Sequence, residues 1–181
     1  MTNWCTWANL LTAIRVLLLL PTTFAILNQA WLCAALLFTT AVVTDIFDGK
    51  LARRMNQASP LGGLFDHFTD AAFVSLSCWA LAQIEVVNSF LWPLIVLAFI
   101  QYMLDSKALS GIALRMSALG RSNGIAYYVL VGVFIGANLL EWQWLQIAAA
   151  YAGWLLVLTT SISMLDRAFT LLRKPVTPKG G

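Results

Sequence analysis

Residues 45–70, DIFDGKLARRMNQASPLGGLFDHFTD, set two pairs of carboxylates (Asp45 with Asp48, Asp66 with Asp70) between long apolar runs. Ionisable side chains at membrane depth are costly and face a bundle interior or a polar cavity rather than lipid. A chain patterned this way has to fold so that its apolar runs enclose the acidic stretch. Asp45 and Asp48 are three residues apart, and Asp66 and Asp70 are four apart. On helices, either spacing puts both carboxylates of a pair on one face. Gly49 and Ala52 continue the Asp45 stripe and leave it bare, so that a bulky ligand can approach the backbone.

If Pro60-Leu61-Gly62-Gly63 turns the chain between two neighbouring helices, the four carboxylates converge. Like charges at that density need cations to neutralise them. Oxygen-only ligands favour hard ions such as Mg2+ or Mn2+. Two such ions form a clamp suited to displacement at phosphate. Arg53 and Arg54 follow at once, with forked donors that fit further phosphate oxygens. The blander alternative, helix-end charges on a solvated face, conflicts with the strongly apolar runs that these charges interrupt.

Hydrophobic residues make up 60% of the 181, charged residues only 10%, and the mean hydropathy is +0.80. That excludes a soluble domain of ordinary make-up and predicts an all-α, polytopic membrane protein with one domain over residues 1–181. Six spans are expected, at about 9–28, 31–45, 61–83, 88–103, 123–139 and 144–165. Spans of roughly 16 to 23 residues fit a hydrocarbon core of about 30 Å. The second helix is expected to continue through Arg54 and carry the first carboxylate pair out of the membrane. Residues 1–8, with Trp4 and Trp7, suit the headgroup level. With no basic start and no cleavage site, the first span is expected to be retained.

Within these spans, Pro21 predicts a kink, and Arg15 is expected to point into the polar site. Residues 105–121 have a broken apolar period with Lys107, Arg115 and Arg121, which fits an amphipathic interfacial helix. Gly132 and Gly136 are four apart and predict close helix packing. Cys5, Cys33 and Cys78 lack metal-site spacing and read as small apolar core residues. His67, the single histidine, is expected to face away from Asp66 and Asp70 and to hydrogen-bond locally. No internal repeat is visible, and residues 166–181 read as a basic, partly disordered tail.

The net charge is only +3, so its distribution matters more than its size. In a six-span layout every Lys and Arg except Arg15 falls on one side, whereas the opposite loops hold Glu85 and Glu141. The positive-inside rule then makes the acidic stretch and both termini cytoplasmic. No nucleic-acid partner is expected.

The residues of the acidic stretch also carry a resemblance. Asp45, Asp48, Gly49, Ala52, Arg53, Gly62, Asp66 and Asp70 fill, without gap or substitution, a pattern similar to the signature of the CDP-alcohol phosphotransferases. NLLTAIRVLLLLP, with Asn9, Leu11, Thr12, Arg15 and Pro21, resembles the N-terminal segment of that family's bacterial phosphatidyltransferases. The resemblance implies phospholipid synthesis in the bacterial inner membrane, with an acceptor hydroxyl displacing CMP from a CDP-linked substrate. Asp45, Asp48, Asp66 and Asp70 would then bind two Mg2+ or Mn2+ ions, and Asp70 would also be the general base. Gly49, Ala52, Arg53 and Ser59 would meet the cytidine nucleotide and its pyrophosphate. Lys107, Arg115 and Arg121 are candidates for the phosphate of an acceptor, with contact to anionic headgroups as the alternative role. A homodimer is a further expectation of the resemblance.

The compact six-span size and the N-terminal segment resemble those of the family's bacterial phosphatidyltransferases, which implies CDP-diacylglycerol as donor, with glycerol-3-phosphate as the leading acceptor. SPLGGLFDHFTD is instead similar to the choline/ethanolamine phosphotransferases, in which diacylglycerol accepts the head group. Serine, inositol phosphate and phosphatidylglycerol are further acceptors. A divalent-cation transporter would also place carboxylates in spans, but would distribute them through the membrane depth, whereas here they gather at one face.

Overall fold

The computed structural model describes residues 7–54, 60–105 and 118–173. These form helices and tight turns, with no strand among the described residues. The helices are α1 (Trp7–Leu27), α2 (Trp31–Arg54), α3 (Pro60–Gln83), α4 (Leu91–Asp105), α5 (Ala118–Leu139) and α6 (Gln143–Arg173). Helix α2 runs past its apolar span through Arg54, as expected. Pro60 is not part of a turn: it opens α3, where its missing N–H costs no helical hydrogen bond. Helix α5 starts at Ala118, so Arg121 belongs to its first turn rather than to a separate connector. Helix α6 extends to Arg173, and the basic tail therefore begins as helix.

Helices α1–α2, α3–α4 and α5–α6 are joined by short turns built alike. Gln29, Glu85 and Glu141 each adopt positive φ, at 54°, 60° and 54°. The residue after each donates its N–H five positions back, from Ala30 to Ala25, Val86 to Leu81 and Trp142 to Ala137. This left-handed cap satisfies terminal carbonyls and reverses the chain in few residues. All three turns lie between odd and even helices, and hence at one end of an antiparallel bundle.

Helix α1 packs on α2 and α3; α5 packs on α6, α2 and α3; α4 bridges α3 and α6. Small side chains (Ala34, Ala41, Ala80, Ala137, Ala149) are buried at these contacts and allow close approach. Gly132 admits the Phe38 ring of α2, whose Cε1 would lie 3.0 Å from an added Cβ. Gly136, one turn on, has nothing within 4 Å of that position, so only one of the two glycines sets helix spacing. Pro21 lies inside α1, and the Thr22 and Thr23 hydroxyls donate to the Leu18 and Leu19 carbonyls beside it. Gln101 Nε2 donates to the Met164 carbonyl at 2.9 Å and ties α4 to α6.

The core is largely apolar, but the outer surface is apolar too, and several polar side chains are buried. Arg15, Thr22, Thr69, Ser77 and Thr160 are buried, whereas Leu17, Leu104 and Tyr151 are each at least 70% exposed. Apolar solvent around the bundle accounts for both halves of that pattern. The stretches Leu119–Leu139 and Gln143–Phe169 are long and apolar enough to cross a bilayer. Shorter apolar stretches occupy Thr12–Leu27, Trp31–Phe47 and Leu91–Leu104. Of the cysteines, Cys78 is in the core as expected, but Cys33 is exposed on the apolar outer surface and is not a core residue. Cys5 lies outside the described residues.

Candidate active site

Three helices bring the acidic stretch together around a residue of the first. Arg15 on α1 is fully buried. Its Nη2 lies 2.7 Å from Asp45 Oδ1 on α2, and its Nη1 lies 3.0 Å from Asp66 Oδ1 on α3. Nη1 also donates to Asp70 Oδ1. Asp66 and Asp70 thus share a face of α3, as their four-residue spacing requires, and Asp45 is joined to them through Arg15 of α1, the helix on which both α2 and α3 pack. The three carboxylates are 34%, 30% and 25% exposed, so they keep access to a ligand while the guanidinium does not. Arg15 points into the site, as the cost of a charge on the lipid face demands.

Asp48, Gly49, Ala52 and Arg53 follow on the same helix, α2, and the placement of their side chains lies outside what is described. Ser59, Lys107 and Arg115 fall outside the described residues altogether. The amphipathic helix expected over 105–121 lies there too, save for the part that joins α5.

His67 departs from expectation. One of its ring nitrogens lies with a carboxylate oxygen of Asp66 and one of Asp70, all within 4.8 Å of one another. The ring also stands edge-on to Tyr102, with centroids 6.1 Å apart. A helix step of one residue turns the side chain by about 100°, but an imidazole is long enough to swing back to the neighbouring carboxylates. The donor set is rich in carboxylate oxygen, which fits a hard divalent cation.

Tyr128 on α5 is a site residue that the sequence does not single out. Its hydroxyl donates to Asp70 Oδ1 at 2.9 Å. Its ring stacks on Phe73, with centroids 6.1 Å apart and planes 12° apart, and tilts against Phe38. Packing on both rings fixes where the hydroxyl points. The available signal was a tyrosine pair, Tyr127-Tyr128, inside an apolar run, because a buried phenol needs a hydrogen-bond partner. Tyr127 finds its partner on α6, at 2.5 Å from Thr160 Oγ1.

The carboxylates open into a cavity of about 280 Å³ between α3, α4, α5 and α6. Asp45, His67 and Asp70 line it together with Arg121 of α5 and Arg167 of α6. Val74, Ile95 and Ala98 give it an apolar side. The structure therefore brings Arg121 into one space with Asp70, and adds Arg167, which sequence reasoning passed over as a tail charge. The Arg167 guanidinium carbon lies 5.1 Å from the Tyr102 ring centroid, a cation–π contact that orients it. A cavity with carboxylates near one cationic pair can hold a cation and an anionic small molecule side by side.

A family model, CDP-alcohol phosphatidyltransferase, matches residues 5–164. The chain is 30% identical over 157 residues to the CDP-diacylglycerol–glycerol-3-phosphate 3-phosphatidyltransferase of Escherichia coli (strain K12), covering 80% of this chain and 81% of that one. The protein of the same description from Salmonella choleraesuis (strain SC-B67) is 31% identical over 153 residues, with the same coverage. A third, from Sodalis glossinidius (strain morsitans), is 33% identical over 78 residues, or 43% of either chain.

Proposed function

Because the chain belongs to the CDP-alcohol phosphatidyltransferase family and is a transferase of phospholipid synthesis, we propose that it moves the phosphatidyl group of CDP-diacylglycerol to glycerol-3-phosphate. The observation that carries this reading is the matched length: relatives so described align over four fifths of both chains, not over the acidic motif alone. The cavity shared by Asp70, Arg121 and Arg167 is the space such an acceptor needs, with carboxylates at the reacting end and arginines for its phosphate.

Asp45, Asp48, Asp66 and Asp70 are the ligands we assign to two Mg2+ or Mn2+ ions, with His67 as a further donor. Bound there, the ions supply charge neutralisation at the transferring phosphate. The chain's own residues do the rest. Gly49 and Ala52 give the cytidine nucleotide a bare helix face, and Arg53 and Ser59 meet its phosphates. Arg121, with Lys107 and Arg115, holds the acceptor phosphate, and Arg167 joins them. Arg15 and Tyr128 both bond Asp70 through Oδ1, so Oδ2 is the atom we assign to take the hydroxyl proton. The acceptor oxygen forms its bond to the phosphatidyl phosphorus as the bond to CMP breaks, and CMP leaves with that electron pair. The apolar side of the cavity limits competition from water.

Six spans with both termini and the site at the cytoplasmic face of the bacterial inner membrane complete the proposal. The one-sided Lys and Arg pattern and the three matching turns at the opposite end support it. Annular lipids would cover the exposed apolar faces, and a second copy of the chain would pair through spans away from the site.

The test is the lipid product. Purified protein given CDP-diacylglycerol and glycerol-3-phosphate should form a lipid heavier than the diacylglycerol phosphate unit by the acceptor alone. CDP-choline or CDP-ethanolamine with diacylglycerol should give none. Product only from the second pair would assign the head group, not the lipid, to the CDP carrier.

A further inference from the structure

Arg15 does more than its place in an N-terminal apolar run suggests. It is fully buried on α1, and yet its guanidinium makes contacts on two other helices, to Asp45 on α2 and to Asp66 and Asp70 on α3. Each contact is made to a carboxylate Oδ1, the class of atom that a hard cation takes. Removing a positive charge from such a cluster leaves partly buried like charges facing one another without a counter-charge, which destabilises their arrangement. Placing a divalent cation on the same oxygens sets like charge against the guanidinium instead. One side chain therefore acts on the cluster with opposite sign according to whether a cation is bound.

We propose that Arg15 is the resident counter-cation of the carboxylate cluster: it holds Asp45, Asp66 and Asp70 together before a divalent cation binds, and competes with that cation for their oxygens. This rests on the cation site assigned above. Arg15 is a positioning residue in this account and touches no substrate. Its forked, permanently charged group suits the task, because it spans carboxylates on two helices at once. The consequence is a site that stays assembled when cation is scarce and that loads only when cation is plentiful enough to outcompete an internal charge.

The test uses full-length protein in detergent and reads cation binding and unfolding temperature, not turnover. Wild type, Arg15→Gln and Arg15→Lys are titrated with Mn2+; free Mn2+ is followed by its paramagnetic resonance signal, and the melting temperature is taken at each point. Without cation, Arg15→Gln should melt below wild type. Its Mn2+ midpoint should fall by about tenfold, as expected on removing one like charge from a partly buried cation site, and its gain in melting temperature on saturation should exceed that of wild type. Arg15→Lys keeps the charge but loses the fork, and its midpoint should lie between the other two. If Arg15→Gln does not fold, the Arg15→Lys midpoint decides, and it should be below that of wild type. A midpoint unchanged or raised in the variants would overturn the proposal and make Arg15 a packing residue or a helper of cation binding. Wild type that binds no Mn2+ would remove the cation site itself, an outcome separate from bound Mn2+ with an indifferent Arg15.

Discussion

Asp70 is held from two other helices. Arg15 reaches it from α1 and Tyr128 from α5, and it lines the cavity that also holds Arg121. A group so fixed is placed to accept a proton from one direction only. Asp70→Asn keeps the shape and the hydrogen-bond acceptor but removes the base. Turnover should drop by at least about 100-fold, while binding of CDP-diacylglycerol, measured by calorimetry in detergent, stays close to that of wild type. Retained turnover would move the base elsewhere. Arg121 is assigned a different duty, to hold the acceptor's phosphate. Arg121→Ala should raise the KM for glycerol-3-phosphate by roughly 10- to 100-fold, the worth of a hydrogen bond to a charged group. It should leave kcat and the KM for CDP-diacylglycerol near wild type. Equal effects on both substrates would make Arg121 structural. The Asp spacing made the carboxylates legible in the sequence, since periods of three and four residues translate directly into helix faces. Tyr128 and the reach of His67 were not legible, because they depend on which helix lies opposite and how a ring packs.

At the scale of elements, each helix pair is set by a local rule and each longer-range contact by a fit between surfaces. Apolar runs are local, and the six helices follow from them, although α5 begins before its expected span, α6 runs well past its own, and Pro60, expected in a turn, opens α3. The glycine pair in α5 shows the limit. Spacing makes Gly132 and Gly136 equivalent, yet only Gly132 faces Phe38 of α2. Gly132→Val should force that ring aside, cost about 1–3 kcal/mol and lower the melting temperature in detergent, with Gly136→Val milder. The reverse order would contradict the α2–α5 contact. Because Phe38 also packs against Tyr128, Gly132→Val should reduce turnover as well. The three left-handed turns at Gln29, Glu85 and Glu141 were invisible as a pattern for a physical reason: a cap of this kind is normally announced by glycine, and none of the three is one.

At the scale of the whole molecule, the sequence pattern of Lys and Arg predicts one orientation across the membrane. Among the described residues, Glu85 and Glu141 sit at the turns of one end of the bundle, and Arg121 and Arg167, near the far ends of α5 and α6, line the cavity. In a variant with Cys5, Cys33 and Cys78 replaced by Ser, Glu141→Cys should react with an impermeant maleimide applied to intact cells. Lys179→Cys should react only after permeabilisation. The opposite labelling would invert the site's orientation. Family and fold class were readable from eight fixed positions and the apolar runs, because both are matters of composition and spacing. The role of Arg167 was not, since a basic residue in a tail has no signal until α6 carries it back over the cavity. What unites these scales is the claim that a cation-dependent carboxylate cluster transfers a phosphatidyl group. CMP release by the purified protein tests it most directly, with CDP-diacylglycerol and glycerol-3-phosphate present and Mg2+ or Mn2+ added or chelated. The account predicts release that needs both the acceptor and the cation and is lost in Asp70→Asn. Release that persists in chelator, or that is indifferent to glycerol-3-phosphate, would contradict it.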